Sequence, residues 1–326
     1  MKAIILGGAG FIGSHLAELL IKNKFYVKII YNLSTGRIEN IKNIKDKIKF
    51  IRADISQKGK WQNEFINIDY VFHLAALADI VPSINNPYKY YQSNVTGTLN
   101  VLEACRKFKI KKLLFSASSS CYGIPKKYPT KETEKINPIF PYAVTKYLAE
   151  QLIIYWSKIY KINFISLRLF NVYGPKSRTS GTYGAMFGVF LAQKLAKKPF
   201  TMVGNGNQSR DFTYVSDVID AFLKAARSNL NNKIFNVGSN KTVKVKEIIK
   251  YLEGSYVKIP RRPGEPNITY ADITSIKKYL KWRPKVDIKN GIHMILKNIS
   301  YWKKAPVWTP KSINKATKDW FKYLNK

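Results

Sequence analysis

Ser118, Tyr142 and Lys146 are the residues of this chain whose types and spacing could move a proton. Tyr142 and Lys146 stand four apart in Pro141-Tyr-Ala-Val-Thr-Lys146, so on a helix they share one face. A tyrosine hydroxyl ordinarily ionises near ~10 and is a poor base at neutral pH unless a neighbouring cation favours its phenolate. Lys146 supplies one cation, and an oxidised nicotinamide would supply another. Ser118 can hydrogen-bond Tyr142 or the reacting oxygen of a substrate, which completes a general acid–base path. In a chain with 21 tyrosines, Tyr-x-x-x-Lys arises readily by chance, so the reading needs a second signal.

That signal is Gly7-Gly-Ala-Gly10-Phe11-Ile12-Gly13, which follows an apolar run and opens a helical pattern, the context a dinucleotide fingerprint requires. One glycine permits the tight turn, one lets backbone approach a pyrophosphate, and one lets the helix pack closely on the strand. The anion then rests on the helix N-terminus. An acidic residue is expected about 20 positions on, to hold the adenosine ribose, but Tyr31 stands there. NAD is the expected cofactor, because Asn32, Ser34 and Thr35 offer neutral hydrogen bonds to the ribose and Asp54 suits the adenine amino group. NADP stays open, since no carboxylate repels a 2'-phosphate and Arg37 is close in sequence.

The elements that must position these residues follow an α/β pattern. Strands are predicted at Lys2–Leu6, Tyr26–Tyr31, Lys49–Arg52, Tyr70–Leu74, Lys112–Ser116 and Asn163–Leu169, and helices at Phe11–Lys22, Tyr88–Phe108 and Tyr142–Tyr160. This alternation predicts a doubly wound parallel sheet with ligands at the carboxyl ends of its strands. Pro141 begins the third helix and fixes its first turn. A dinucleotide-binding domain is expected over 1–170, with 212–238 folding back onto it through a strand at Ile234–Val237. A smaller α/β domain is expected over 171–326, with a helix near Met186–Ala196. At the C-terminus Thr309 reads as an N-cap and Pro310 as the first helical residue, with Ile313, Ala316, Trp320, Phe321 and Leu324 on one stripe. That tail is expected to pack on the body or on a partner subunit.

With 326 residues, 45% of them hydrophobic, the chain has ample material for a core. Its formal net charge of +36 favours acidic partners, yet the lysines are scattered and form no block of five or six, so nucleic acid is not the expected partner. The same field would steer an anionic small molecule inward. Cys105 and Cys121 form no CxxC pair and read as core residues in a reducing cytoplasm. His15, His73 and His293 lack metal-ligand spacing, so no metal is expected. The first apolar run stops at Gly7, and no stretch approaches the ~20 residues a membrane helix needs.

Seven strings together resemble the extended short-chain dehydrogenase/reductases, and within them the UDP-glucose 4-epimerase-like nucleotide-sugar epimerases, from residue 1 to about residue 300. They are GGAGFIGSHL from Gly7, NLSTG from Asn32, SSSCYG from Ser118, PYAVTK from Pro141, RLFNVYGP from Arg168, GNGNQSRDF from Gly204 and RPGE from Arg262. The resemblance implies a Rossmann-type sheet with a smaller domain that binds a UDP-sugar. It implies that the glycine turn, Gly36, Ile55, Leu74, Ala75, Ala76, Asn94, Ser116 and Phe170 line NAD together with Tyr142 and Lys146. Ser118, Ser119 and Tyr142 would then meet the sugar, while Asn171, Arg210 and Arg262 grip its diphosphate and Thr269 leaves room in a position that gates sugar size. In the implied reaction Tyr142 takes the C4 hydroxyl proton while hydride leaves C4, and a 4-keto sugar turns before hydride returns to its other face. A 4,6-dehydratase or uronate decarboxylase on the same scaffold would need an acidic residue beside Ser118, where Ser119 and Ser120 stand instead. A cysteine acid/base at Cys121 is disfavoured by its packed surroundings. A non-catalytic NAD(H)-binding or nucleic-acid-associated protein would have no need of the full Ser-Tyr-Lys set. Relatives also imply a homodimer through the 88–108 and 142–160 helices, and the hydroxyl-rich Thr179, Ser180 and Thr182 segment is expected to touch the sugar.

Overall fold

A computed structural model of the chain describes residues 1–177 and 185–324. The apolar runs form strands β1 (Lys2–Leu6), β2 (Tyr26–Tyr31), β3 (Ile48–Arg52), β4 (Tyr70–His73), β5 (Lys112–Ser118) and β6 (Phe164–Leu169). Shorter strands follow: β7 (Val172–Tyr173), β8 (Phe200–Val203), β9 (Ser209–Arg210), β10 (Thr213–Tyr214), β11 (Lys233–Val237), β12 (Val243–Lys244) and β13 (Tyr256–Ile259). The main sheet runs β11-β6-β5-β4-β1-β2-β3 with every pair parallel. All residues of β4 and β6 are buried, as strands covered on both faces require. Strand order reverses between β1 and β4, which opens a crevice at their carboxyl ends. The expected return of the chain to this sheet is β11, paired along β6 from Lys233 opposite Ile165 to Val237 opposite Leu169. Away from it, β8 pairs with β13 and β9 with β12.

The helices are α1 (Phe11–Lys22), α2 (Ile80–Asn85), α3 (Pro87–Tyr91), α4 (Gly97–Lys107), α5 (Pro141–Tyr160), α6 (Met186–Leu195), α7 (Val215–Arg227), α8 (Val245–Leu252), α9 (Thr274–Leu280), α10 (Ile288–Lys297), α11 (Pro310–Ala316) and α12 (Lys318–Leu324). Two expectations are corrected. The single helix read over 88–108 is α3 and α4 joined through a widened π turn at Gln92–Thr96. The extra residue in that turn lets Asn94 reach out of the helix, where its side chain holds the Leu77 backbone and Thr145. The tail is likewise two helices, broken at Thr317, whose hydroxyl donates back to the Ile313 carbonyl at 2.8 Å. Thr309 does cap its start, and Ile313 and Trp320 are buried against the body.

Helix α5 carries the candidate proton-transfer residues, and its buried stripe includes Ala143, Lys146, Ala149, Glu150 and Ile153. Glu150 is 1% exposed and takes three bonds from Arg168 on β6, through Nε at 3.1 and 3.2 Å and Nη2 at 2.7 Å. The Ser166 hydroxyl adds a fourth at 2.6 Å. The remaining Arg168 donor, Nη1, reaches the Tyr122 hydroxyl and the Glu132 carbonyl. Removing one partner of a buried pair strands the other's charge, so Glu150→Ala is expected to cost on the order of 3–5 kcal/mol in urea unfolding. A loss under about 1 kcal/mol, the scale of an exposed pair, would show that this contact does not fix α5.

Candidate active site

The glycine turn sits where β1 meets α1. Gly7 adopts φ +89°, and a Cβ there would lie 2.8 Å from the Ala75 backbone nitrogen, so β1 and the segment after β4 approach as only glycine allows. Gly10 is the N-cap of α1, with no side-chain cap and no acidic residue in the first turn. The first amides, from Phe11 through Gly13, therefore have no intrahelical acceptor and face the crevice as an anion cradle. These features fit a dinucleotide pyrophosphate. At the end of β2, Tyr31 turns its hydroxyl onto Thr35 Oγ1 at 2.9 Å and lies against Gly10 and Gly36. Asn32 donates to Asp54 at 3.0 Å and accepts from the Ser34 amide, so both flank the same loop. Burial alone would raise the Asp54 carboxyl, but hydrogen bonds from Asn32 and Ser56 hold it below the ordinary value. Arg37 stacks on Tyr301, whose hydroxyl bonds Asn40. Ile55 is buried, and Leu74 continues the β1–β4 pairing through its amide. Ala76 follows Ala75 in the same segment, and Phe170 leaves β6 bonded to the Val237 carbonyl. Asn94 spends its amide on Leu77 and Thr145, so it braces the segment after β4 against α5.

At the end of β5, two residues beyond Ser116, the Ser118 and Ser120 hydroxyls lie 2.8 Å apart. Hydrogen bonding from both serines pulls the Tyr142 phenol down, against a larger effect of burial. A 3-10 turn at Ser119–Tyr122 brings Ser120 onto Ser118, with Ser119 between them in the chain. Tyr142 stays partly accessible while its hydroxyl sits deep, and burial pushes its phenol up against the pull of Ser118. One helical turn on, Lys146 is 5% exposed, with its ammonium 4.3 Å from the Phe115 ring centroid. Burial brings it down to about 7, opposed by Glu150. Burial also brings neighbouring His73 down to about 3, so its imidazole is neutral. Cys121 is 2% exposed, its thiol pushed up to about 12 by burial, which suits a core residue.

The third group converges from 171–269. Arg210 Nη2 donates to Glu265 at 2.9 Å, and Arg262 Nη1 lies 4.0 Å from the same carboxylate. The Thr269 hydroxyl donates to Asn171 Oδ1 at 2.8 Å and accepts from the Asp211 amide, so its one proton is already committed. Thr179, Ser180 and Thr182 lie outside the described residues. Sequence reasoning missed Glu265, although it stands in the RPGE string, because its pairing with Arg210 spans 55 residues. No group of three or more His, Cys, Asp or Glu that could hold a metal ion occurs among the described residues, and no described helix is long and apolar enough to cross a membrane.

A glycine-cradled crevice beside a Ser-Tyr-Lys set defines a dinucleotide-dependent sheet enzyme, and comparison with known proteins agrees. The family model described as NAD dependent epimerase/dehydratase family matches residues 3–238. The chain belongs to that NAD-dependent epimerase/dehydratase family. UDP-glucuronate 4-epimerase of Thermodesulfobacterium geofontis is 34% identical over 328 aligned positions, covering 95% of this chain and 98% of its own. The structure of UDP-glucose 4-epimerase with UDP-glucose from Thermotoga maritima superposes with a TM-score of 0.86 at 32% identity, covering 93% of this chain and 99% of its own. UDP-glucuronic acid 4-epimerase of Bacillus cereus, in complex with UDP-glucuronic acid and NAD, gives 0.85 at 32% identity, with coverages of 92% and 99%.

The lowered Lys146 has a measurable consequence. An unfolded lysine keeps its proton to about 10.4, so between pH 7 and 10 the unfolded chain binds more protons than the folded one at this site. Stability therefore rises with pH across that window and is lost again as pH falls through 7. Lys146→Met is expected to flatten the rise in Tm of the cofactor-free protein from pH 7 to 10 and to exceed wild type in Tm below pH 7. Melting curves over a pH series check this, and parallel profiles for the two proteins would refute it.

Proposed function

We propose that this chain catalyses NAD-dependent C4 epimerisation of a UDP-sugar. The observation that carries the reading is the Ser118–Ser120–Tyr142 hydroxyl cluster at the end of β5, one helical turn from a buried Lys146 and beside the glycine cradle. Bound NAD supplies the hydride acceptor for C4 oxidation and the donor for its reversal. Tyr142 takes the proton of the C4 hydroxyl, with Ser118 bonding the same oxygen and the protonated form of Lys146 favouring the phenolate, while burial raises the phenol of the resting protein. After the 4-keto sugar turns its other face to the crevice, Tyr142 returns the proton to the C4 oxygen. Arg210, Arg262 and Asn171 hold the diphosphate throughout, so binding energy far from C4 keeps the ring in place while it reorients. Ser119 and Ser120 stand where an elimination would need a carboxyl, which favours epimerisation over 4,6-dehydration.

Thr269 is small, which suits glucose/galactose, N-acetylhexosamine and uronate forms alike, and the relatives named above act on neutral and acidic sugars. Tyr31 braces Thr35 where a carboxylate would bond the ribose, and neutral bonds from Asn32 and Ser34 support NAD. The segment from 171 onward is read as the sugar-binding domain. Exposed Tyr88 and Tyr91 on α3 and Val144, Leu148, Tyr155 and Ile159 on α5 support pairing of these helices in a homodimer. The two buried free cysteines support a cytoplasmic setting.

Incubating the protein with a panel of UDP-sugars and following products by NMR tests the reading. Wild type is expected to interconvert at least one 4-epimer pair, and Tyr142→Phe to lower the rate by at least about 100-fold, the scale of a lost acid–base group. No epimer from any UDP-sugar, or an unchanged rate in Tyr142→Phe, would overturn it.

A further inference from the structure

We propose that Trp320, on the C-terminal helix α12, is a positioning residue that sets Arg262 and its loop for the substrate diphosphate. The proposal rests on the reading of Arg262 as a diphosphate ligand. Trp320 is 3% exposed, with the Arg262 guanidinium carbon 5.5 Å from its ring centroid. Its Nε1 donates to the Pro263 carbonyl at 2.7 Å, so one indole grips both the side chain and the backbone of the Arg262–Glu265 turn. Its other edge meets Phe140 at 5.2 Å and 70°, and Phe140 is the N-cap of α5, two residues before Tyr142. Gly264 closes the same turn at φ +70°, where a Cβ would lie 3.2 Å from Ile139. The indole is thus wedged between the loop that carries the anion clamp and the start of the helix that carries the base.

The Trp320 ring and Glu265, which lies 4.0 Å from Nη1, both contact the Arg262 guanidinium. A guanidinium stacked on a ring has already lost much of its rotamer freedom, so less is lost when it bonds a phosphate. Glu265 also bonds Arg210 at 2.9 Å, which links the indole indirectly to the second arginine. Helix α12 further packs on α2, so the tail bridges the helix after β4 and the arginine loop. These tail residues lie outside the 3–238 stretch matched by the family model. Their contacts nonetheless reach the residues assigned to substrate.

The test is UDP affinity of the NAD-loaded full chain, by calorimetry, together with KM and kcat on the epimerised sugar. Four proteins are compared with wild type: Trp320→Leu, which keeps an apolar side chain against Phe140 but removes the ring, Trp320→Phe, which keeps a ring, Arg262→Gln, and the Arg262→Gln/Trp320→Leu double variant. Trp320→Leu is expected to weaken UDP binding and raise KM about five- to twentyfold while kcat shifts less than about twofold. Trp320→Phe should recover most of that loss, and Trp320→Leu should add little once Arg262 is Gln. Weak binding by Arg262→Gln with wild-type affinity in Trp320→Leu would overturn the positioning role while leaving the clamp intact. Equal losses from Trp320→Leu with and without Arg262 would overturn it too. Wild-type affinity in Arg262→Gln would overturn the clamp and the positioning role together.

Discussion

A carboxylate and a guanidinium buried together cannot slide past each other without stranding two charges, and Glu150 and Arg168 impose that constraint on α5. Because Tyr142 and Lys146 lie on the same helix as Glu150, the register that satisfies this pair also fixes the phenol over the end of β5. Arg168 contributes all its remaining reach to Tyr122 and the Glu132 carbonyl, so the helix, β6 and the segment after β5 are held at one point. Such a pair adds little net stability compared with an apolar replacement, but it specifies one arrangement. A proton-transfer group needs that more than it needs extra stability, since misplacement by about an ångström costs rate steeply.

Charge is distributed unevenly between this centre and the rest of the molecule. A formal +36 covers the chain, and Lys146, Arg210 and Arg262 each have a defined neighbour. Lys146 sits over Phe115 under the influence of Glu150, Arg210 is tied to Glu265, and Arg262 rests on Trp320. A diffuse positive field of this kind raises the local concentration of anions in general, whereas orientation demands groups held in fixed positions. Glu265 keeps the two arginines from repelling each other.

Local departures from the family pattern are compensated by contacts within the chain. Where a ribose-binding carboxylate is expected, the Tyr31 ring fills space beside Gly10 and Gly36 and its hydroxyl steadies Thr35. Arg37, near enough to suggest a phosphate ligand, stacks instead on Tyr301 from the C-terminal part of the chain. Both observations depend on residues that are far apart in sequence and adjacent only after folding.

Periodicity and glycine placement were enough to define β1, β2 and α1 to the residue, the parallel character of the sheet and a late strand that joins it as β11. Those features are local or follow from strand–helix alternation, so apolar spacing encodes them directly. The partners that tune the site were not legible: Arg168 on Glu150 across 18 residues, Glu265 on Arg210 across 55, and Trp320 on the Pro263 carbonyl across 57. Nor was the contact of Ser120 with Ser118, which depends on a single 3-10 turn, or the π turn that frees Asn94. A sequence states which face a side chain takes, but a hydrogen bond or ion pair between distant segments exists only when packing brings donor and acceptor within about 3 Å. The chemistry available to this protein was therefore written in its residue types, while the orientation of each charge that controls it came from the folded contacts.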